Sequence, residues 1–409
     1  MSAAETLVES RYAWARLCAA LALMTIGGSG MYAITVVLPR VQADFGVSRS
    51  DASLPYTFTM IGFGLGGILM GRLSDRYGVM VPVIIGALGL SAGFVAAGTA
   101  GSLWQFNLAQ GLLIGLLGTS ATFAPLVADI SLWFTRRRGI AVAICISGNY
   151  LAGAVWPPVM QHFIDSAGWR QTYIGIGVFC LAAMLPLALA LRRRPPVPQL
   201  PAAGSVTRVA GSTGTLGLSP GALQALLCVA GVACCVAMSM PQVHIVAYCG
   251  DLGYGPARGA QMLSLMLGCG IVSRLTFGWI SDHIGGLRTL LLGSTLQMIA
   301  LVLFLPFKGL VSLYLVSALF GLFQGGIVPA YALIVREHFT PREAGARMGT
   351  VLMATLFGMA LGGWMSGWIF DLTGSYRAAF VNGIAWNLVN LAIVAALLYR
   401  SRARAAFAG

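Results

Sequence analysis

One arginine sits inside an apolar stretch: Arg274 in SLMLGCGIVSRLTFGWISD, residues 264–282, framed by Gly270 and Gly278. A guanidinium stays charged, and its planar fork matches a carboxylate with two parallel hydrogen bonds. If the stretch spans a membrane, holding that charge at the helix centre costs about 2.5–3.5 kcal/mol on insertion scales, so the residue must face a cavity or a partner. Arg274 stands eight residues before Asp282. At 1.5 Å per residue that is about 12 Å from the helix end. Asp129, four residues before Trp133, is the nearest candidate counter-ion and lies close to a helix end itself. Two readings follow. Either an organic anion supplies the missing charge, or Arg274 is structural and held by Asp129 or by backbone carbonyls.

Other polar and aromatic residues fall inside helices expected to line a central cavity. Tyr32, Thr122, Asn149, Gln324 and Tyr331 are candidate substrate contacts; the competing reading is that each simply packs. His244, in MPQVHIVAYCGDLG, is the one histidine in its half of the membrane, and imidazole titrates near physiological pH. It is the first candidate for proton coupling, with Asp129 the second; otherwise His244 is a hydrogen-bonding residue of an outer gate. His162 reads as a helix-end residue, and His283 and His338 as loop residues.

The elements that must position these groups are legible in the composition. The chain has 409 residues, of which 58% are hydrophobic and only 9% charged. Soluble domains carry about a quarter charged residues. Apolar runs long enough to cross hydrocarbon as helices recur twelve times. They cover roughly 15–39, 52–71, 80–100, 103–128, 139–162, 170–191, 221–248, 259–279, 287–306, 309–335, 346–370 and 376–399. The first is too long for a signal h-region and lacks a small-residue cleavage site. The expected fold is therefore all-α, a multi-pass membrane protein in a lipid bilayer.

The formal net charge of +13 does not require nucleic acid. With the N-terminus inside, 18 Lys and Arg fall on the inner side and 6 on the outer, Arg274 aside. The positive-inside rule accounts for this and places both termini in the cytoplasm; the expected location is the cell inner (plasma) membrane. The eight cysteines lie in or beside apolar segments with no metal-ligand spacing and read as packing residues. No nucleophile–base set or acidic cluster is visible, so neither an enzyme nor a cofactor is expected.

Residues 192–220 are rich in Arg, Pro, Gly and Ser and read as a cytoplasmic linker. They divide a six-helix half, 1–191, from a second, 221–409. The halves repeat: GRLSDRYG (71–78) matches GWISDHIG (278–285), WFTRRRGIAVAI (133–144) is echoed by HFTPREAGARMG (338–349), and DSAGWRQTYIGIG (165–177) by DLTGSYRAAFVNG (371–383). Parallel six-helix repeats about an axis along the membrane normal point to a transporter architecture. Gly71, Asp75, Arg76 and Gly78, with Gly278, Asp282 and Gly285, form a candidate gating motif. Its glycines would let helix ends pack closely, and its Asp would pair with Arg76 or cap the next helix.

These motifs resemble the major facilitator superfamily over the whole chain. Residues 124–177, APLVADISLWFTRRRGIAVAICISGNYLAGAVWPPVMQHFIDSAGWRQTYIGIG, are similar to the monocarboxylate transporter family, and more distantly to the oxalate/formate antiporter. AITVVLPRVQADFGVSRS (33–50) fits the same family. The resemblance implies a twelve-helix, pseudo-symmetric major facilitator fold and a helix 8 arginine, here Arg274, that binds a substrate carboxylate. It also implies a symporter of organic anions that is functional as a monomer. Thr122 stands where the family has an asparagine. The chain departs from the pattern at Gly270, where the family has an acidic residue, and at Tyr32, where it has a lysine. A single deep cation favours one carboxylate over two. The expected function is proton-coupled carriage of a small monocarboxylate by alternating access. The runner-up is a drug or metabolite exporter of the same fold, disfavoured because GNYLAGAVWPPV (148–159) lacks a Gly-Pro step.

Overall fold

The computed structural model describes residues 9–193 and 216–408. Most of the expected linker, 194–215, lies outside the described residues.

The described residues form twelve helical spans. In the first half these are α1 (Arg11–Gly27) with α2 (Ser29–Phe45), α3 (Arg49–Tyr77), α4 (Met80–Gly98), then α5 (Leu103–Leu108) running through a π-helical segment, Ala109–Thr119, into α6 (Ala124–Trp133), and finally α7 (Arg138–Ala167) and α8 (Trp169–Ala190). The second half holds α9 (Pro220–Asp251), α10 (Pro256–Ile284), α11 (Gly286–Leu303), α12 (Leu310–Gln324) with α13 (Ile327–His338), α14 (Pro341–Thr373) and α15 (Tyr376–Ala408). Helices satisfy their own backbone groups, which hydrocarbon cannot do. The twelve expected spans are present. Several extend a turn or more beyond the apolar runs, because their polar ends stay helical outside the hydrocarbon.

Three spans are interrupted, and two of them, the fourth and the tenth, are counterparts in the repeat, whereas α9, the counterpart of the first, is continuous. The fourth span breaks one turn before Pro125, and the tenth breaks at Gly325–Gly326, just before Pro329. Proline cannot continue the hydrogen-bond ladder behind it. The first span changes at Gly28, where a Cβ would lie 2.5 Å from the Ala152 Cβ. The chain passes there between α7 and the fourth span too closely for any side chain.

The contacts that join the halves lie toward the face opposite the termini, called here the far face. Thr57 on α3 donates to the Ala360 carbonyl on α14 at 2.9 Å, and Ser264 on α10 donates to the Ala154 carbonyl on α7. A Cβ at Gly367 of α14 would meet the Arg49 carbonyl oxygen at 2.9 Å. Among the described residues, the hydrogen bonds that join the halves all lie at mid-depth or toward the far face, and none joins them at the terminal face. The space between the halves therefore opens at the terminal face.

Candidate functional site

Arg274 is half-buried on α10 and leans across the boundary between the halves. Its guanidinium carbon lies 4.4 Å from the ring centroid of Tyr150 on α7. Its Nε points at the Gly325 carbonyl, in the break of the tenth span, at the outer limit of 3.5 Å. Among the described residues no carboxylate reaches it. The alternative with Asp129 as counter-ion is removed: Asp129 is bound by Arg16, with Nε–Oδ2 at 2.7 Å and Nη2–Oδ1 at 2.8 Å. Arg16 also stacks on Trp133 at 4.7 Å. Of the structural alternatives, only the long contact to one backbone carbonyl survives.

The environment explains a departure noted in the sequence. A Cβ at Gly270 would lie 2.4 Å from Cε1 of Tyr150. The tyrosine ring fills the volume an acidic side chain would need there. Arg274 thus has an aromatic face in place of an acid one turn away.

Tyr32 joins this group. Its ring lies against Gly153, whose added Cβ would sit 2.8 Å from the Tyr32 Cζ and 2.2 Å from Cδ1 of Leu267 on α10. Neither the Tyr32 nor the Tyr150 hydroxyl has a hydrogen-bond partner among the described residues, and neither is among the sealed orphan atoms. Gln324, just before the tenth-span break, accepts from Gln242 on α9 at 2.9 Å, while its own Nε2 is buried with no acceptor. The Ser273 hydroxyl, beside Arg274 in sequence and against Gly325, is likewise unpartnered. Asn149 is half-buried near Gly28 and makes no hydrogen bond among the described residues. A permanent cation, two free phenols and unpaired amide and hydroxyl donors can receive an anion with further oxygen acceptors.

Two candidates lie elsewhere. Thr122 is buried, donates to the Thr119 carbonyl at 2.9 Å, and fills the space a side chain at Gly27 would occupy. It seats the first span on the fourth. Tyr331 is fully buried within the second half and donates to Asn390 on α15 at 2.9 Å; Asn390 in turn donates to Ser294 on α11 at 2.7 Å. Its hydroxyl is committed to holding three spans together.

His244 sits in a network that sequence reading only partly anticipated. Nε2 lies 2.8 Å from the Gly363 carbonyl and Nδ1 3.2 Å from the Tyr376 hydroxyl. Arg49, counted from sequence only as an outer topology charge, is buried here. Its Nη1 donates to Tyr376 at 2.6 Å and to Asp251 at 3.2 Å, and Nη2 donates to Asp251 at 3.2 Å. The Arg49 and Ser50 amides both donate to Asp371 at 2.8 Å. One helix start of the first half is thus clamped to α9, α14 and α15 of the second. Arg16, Arg49, Tyr150 and Gln242 were missed as site residues. The signal available for Arg16 was its place inside the first apolar run, in the same half as Asp129.

The gating motif differs from expectation. Asp75, Arg76 and Asp282 are exposed and form no ion pair among the described residues, and neither α4 nor α11 has a side-chain N-cap. Arg76 lies over Tyr77 instead, and the Gly286 amide is received by Glu337. Gly71 and Gly278 have open space around them, so neither packs a helix end closely on a neighbour. Gly78 and Gly285 are required: φ is +86° and +81°, a conformation that side-chain-bearing residues avoid.

The sequence of the chain matches the model of the Major Facilitator Superfamily in two overlapping stretches, residues 18–315 and 227–408. The chain belongs to the Major Facilitator Superfamily. Relatives include monocarboxylate transporter 13 of Rattus norvegicus, 28% identical over 362 residues that cover 85% of this chain and 78% of that protein. The MFS-type transporter opdF of Penicillium oxalicum is 28% identical over 298 residues, covering 72% and 68% respectively. A bacterial homolog of the human lysosomal transporter Spinster, inward-facing and unoccupied, aligns with a TM-score of 0.72 at 15% identity, covering 96% of this chain and 97% of that one. The peptide transporter POT in complex with sulfate aligns at 0.71 and 14%, covering 94% of both. This superfamily member is a multi-pass membrane transporter similar to monocarboxylate transporters. Its relatives and structural neighbours are transporters, not enzymes.

Proposed function

We propose that the protein carries a small monocarboxylate across the cell inner (plasma) membrane by alternating access, coupled to protons, as a monomer with both termini in the cytoplasm. Arg274 carries this reading: a guanidinium at mid-depth, stacked on Tyr150 and without a carboxylate partner among the described residues. A substrate carboxylate accepts from its free Nη groups, and Tyr32, Gln324 and Ser273 surround the remainder. The names of the monocarboxylate transporter relatives support the same class. With the termini cytoplasmic, the parted face is the inner one, and the substrate leaves there.

The test is uptake of labelled lactate, pyruvate and benzoate into proteoliposomes, with and without a pH gradient. A charge-assisted hydrogen bond contributes about 1.5–3 kcal/mol, so Arg274→Ala lowers apparent affinity roughly ten- to a hundredfold or removes flux. Arg274→Lys keeps the charge, loses the fork, and falls between. Acid uptake that survives Arg274→Ala unchanged, or flux confined to neutral or cationic compounds, overturns the assignment.

A further inference from the structure

Hydrogen-bond polarity places one proton of His244 in this conformation, and the surrounding charges favour the neutral ring. A carbonyl oxygen only accepts, so the 2.8 Å contact to Gly363 makes Nε2 the donor. A neutral imidazole has one N–H, which leaves Nδ1 a bare acceptor. Its partner at 3.2 Å is the Tyr376 hydroxyl, whose oxygen already accepts from Arg49 Nη1 at 2.6 Å. The chain of donors therefore runs from Arg49 to Tyr376 to His244 to Gly363. An imidazolium would present a second N–H to the same phenolic oxygen. The Tyr376 proton would then have no acceptor, and two cations would flank one hydroxyl in a buried setting.

We propose that His244 is a proton-binding site filled only when the Arg49 clamp is released, so that acid on the far side favours the far-face-open state. A cavity of about 200 Å³ supplies the approach. It is lined by Asp251, Tyr376 and Tyr248, and by the exposed Lys308 and Arg377, so it leads from the surface to Tyr376, the residue whose hydroxyl bonds His244. Charged and titratable groups face His244 from each neighbouring element. These are Arg49 and Tyr56 on α3, Tyr248 and Asp251 on α9, Asp371 on α14 and Tyr376 on α15. Arg40 on α2 and Arg258 on α10 are occupied by Asp165 and Gln261. Asp251 and Asp371 hold Arg49 now. Once Arg49 departs they are the carboxylates left to favour an imidazolium.

This rests on the alternating-access reading, so the test omits substrate. Spin labels at the exposed positions Ser166 and Leu372 report the far-face distance in lipid nanodiscs. An imidazole opened to water titrates near about 6.5, so going from about pH 8 to about pH 5 raises the open-to-closed ratio roughly thirtyfold if only the open state binds the proton. His162→Gln, a control at the same face, retains that shift. His244→Gln, which can still donate to Gly363 and accept from Tyr376, loses it. Tyr376→Phe gives a larger open fraction at both pH values and serves if His244→Gln does not fold. A wild-type distance distribution indifferent to pH, or a full pH response in His244→Gln, overturns the proposal. Either result leaves the Arg274 assignment to its own uptake assay.

Discussion

Replacing Asp129 by alanine leaves a buried cation without its counter-ion, and removal of one partner of a buried pair costs about 3–5 kcal/mol. The geometry places this pair at the strong end. The Arg16 side chain is 0% exposed and that of Asp129 4%. Two charge-assisted hydrogen bonds, at 2.7 and 2.8 Å, join them in the fork arrangement, each worth about 1.5–3 kcal/mol. After the substitution Arg16 keeps only the Tyr12 hydroxyl at 3.2 Å and the Trp133 ring. The double variant Arg16→Met with Asp129→Leu removes both charges and both desolvation penalties, so it stays within about 1–2 kcal/mol of the parent. The assay is a double-mutant cycle of unfolding in detergent micelles, followed by tryptophan fluorescence. The expected coupling is at least about 2 kcal/mol. A single Asp129→Ala within about 1 kcal/mol of wild type, or an additive cycle, refutes the claim that this pair holds the first span to the fourth.

Three further outcomes follow from the same geometry. Tyr150→Leu loses the stacking on Arg274, worth about 1–2 kcal/mol when partly desolvated, so substrate affinity falls roughly five- to thirtyfold in uptake assays while Tyr150→Phe retains it. Tyr331→Phe removes the bond to Asn390; it lowers stability by about 1 kcal/mol in the unfolding assay and leaves the KM for acid uptake unchanged, whereas a raised KM would return Tyr331 to the binding site. Gly285→Ala forces a side chain into φ +81° and ψ 167° and costs about 1–3 kcal/mol in thermal melts, while Gly71→Ala, with open space around it, is neutral.

The sequence by itself determined the membrane class and the twelve spans, and it singled out Arg274. Each of these is carried by information local to the chain. Span length and hydropathy reflect the thickness of hydrocarbon, and the repeat is visible as matching words at offsets of 205 to 207 residues. Arg274 stood out because a charge inside an apolar run is costly wherever it faces.

Only the tertiary structure decided which groups meet. Arg16 and Asp129 are 113 residues apart, and Arg49 and Asp251 are 202 apart. Their pairing depends on how helices rotate and tilt against one another. Hydrophobic periodicity does not specify that for spans surrounded by lipid or by other apolar helices. For the same reason Tyr331 and Thr122 could be placed in central helices from sequence, but not on a face of them. Tyr331 turns to α11 and α15, Thr122 fills the crossing at Gly27, and Tyr150, passed over beside Asn149, takes the position under the guanidinium.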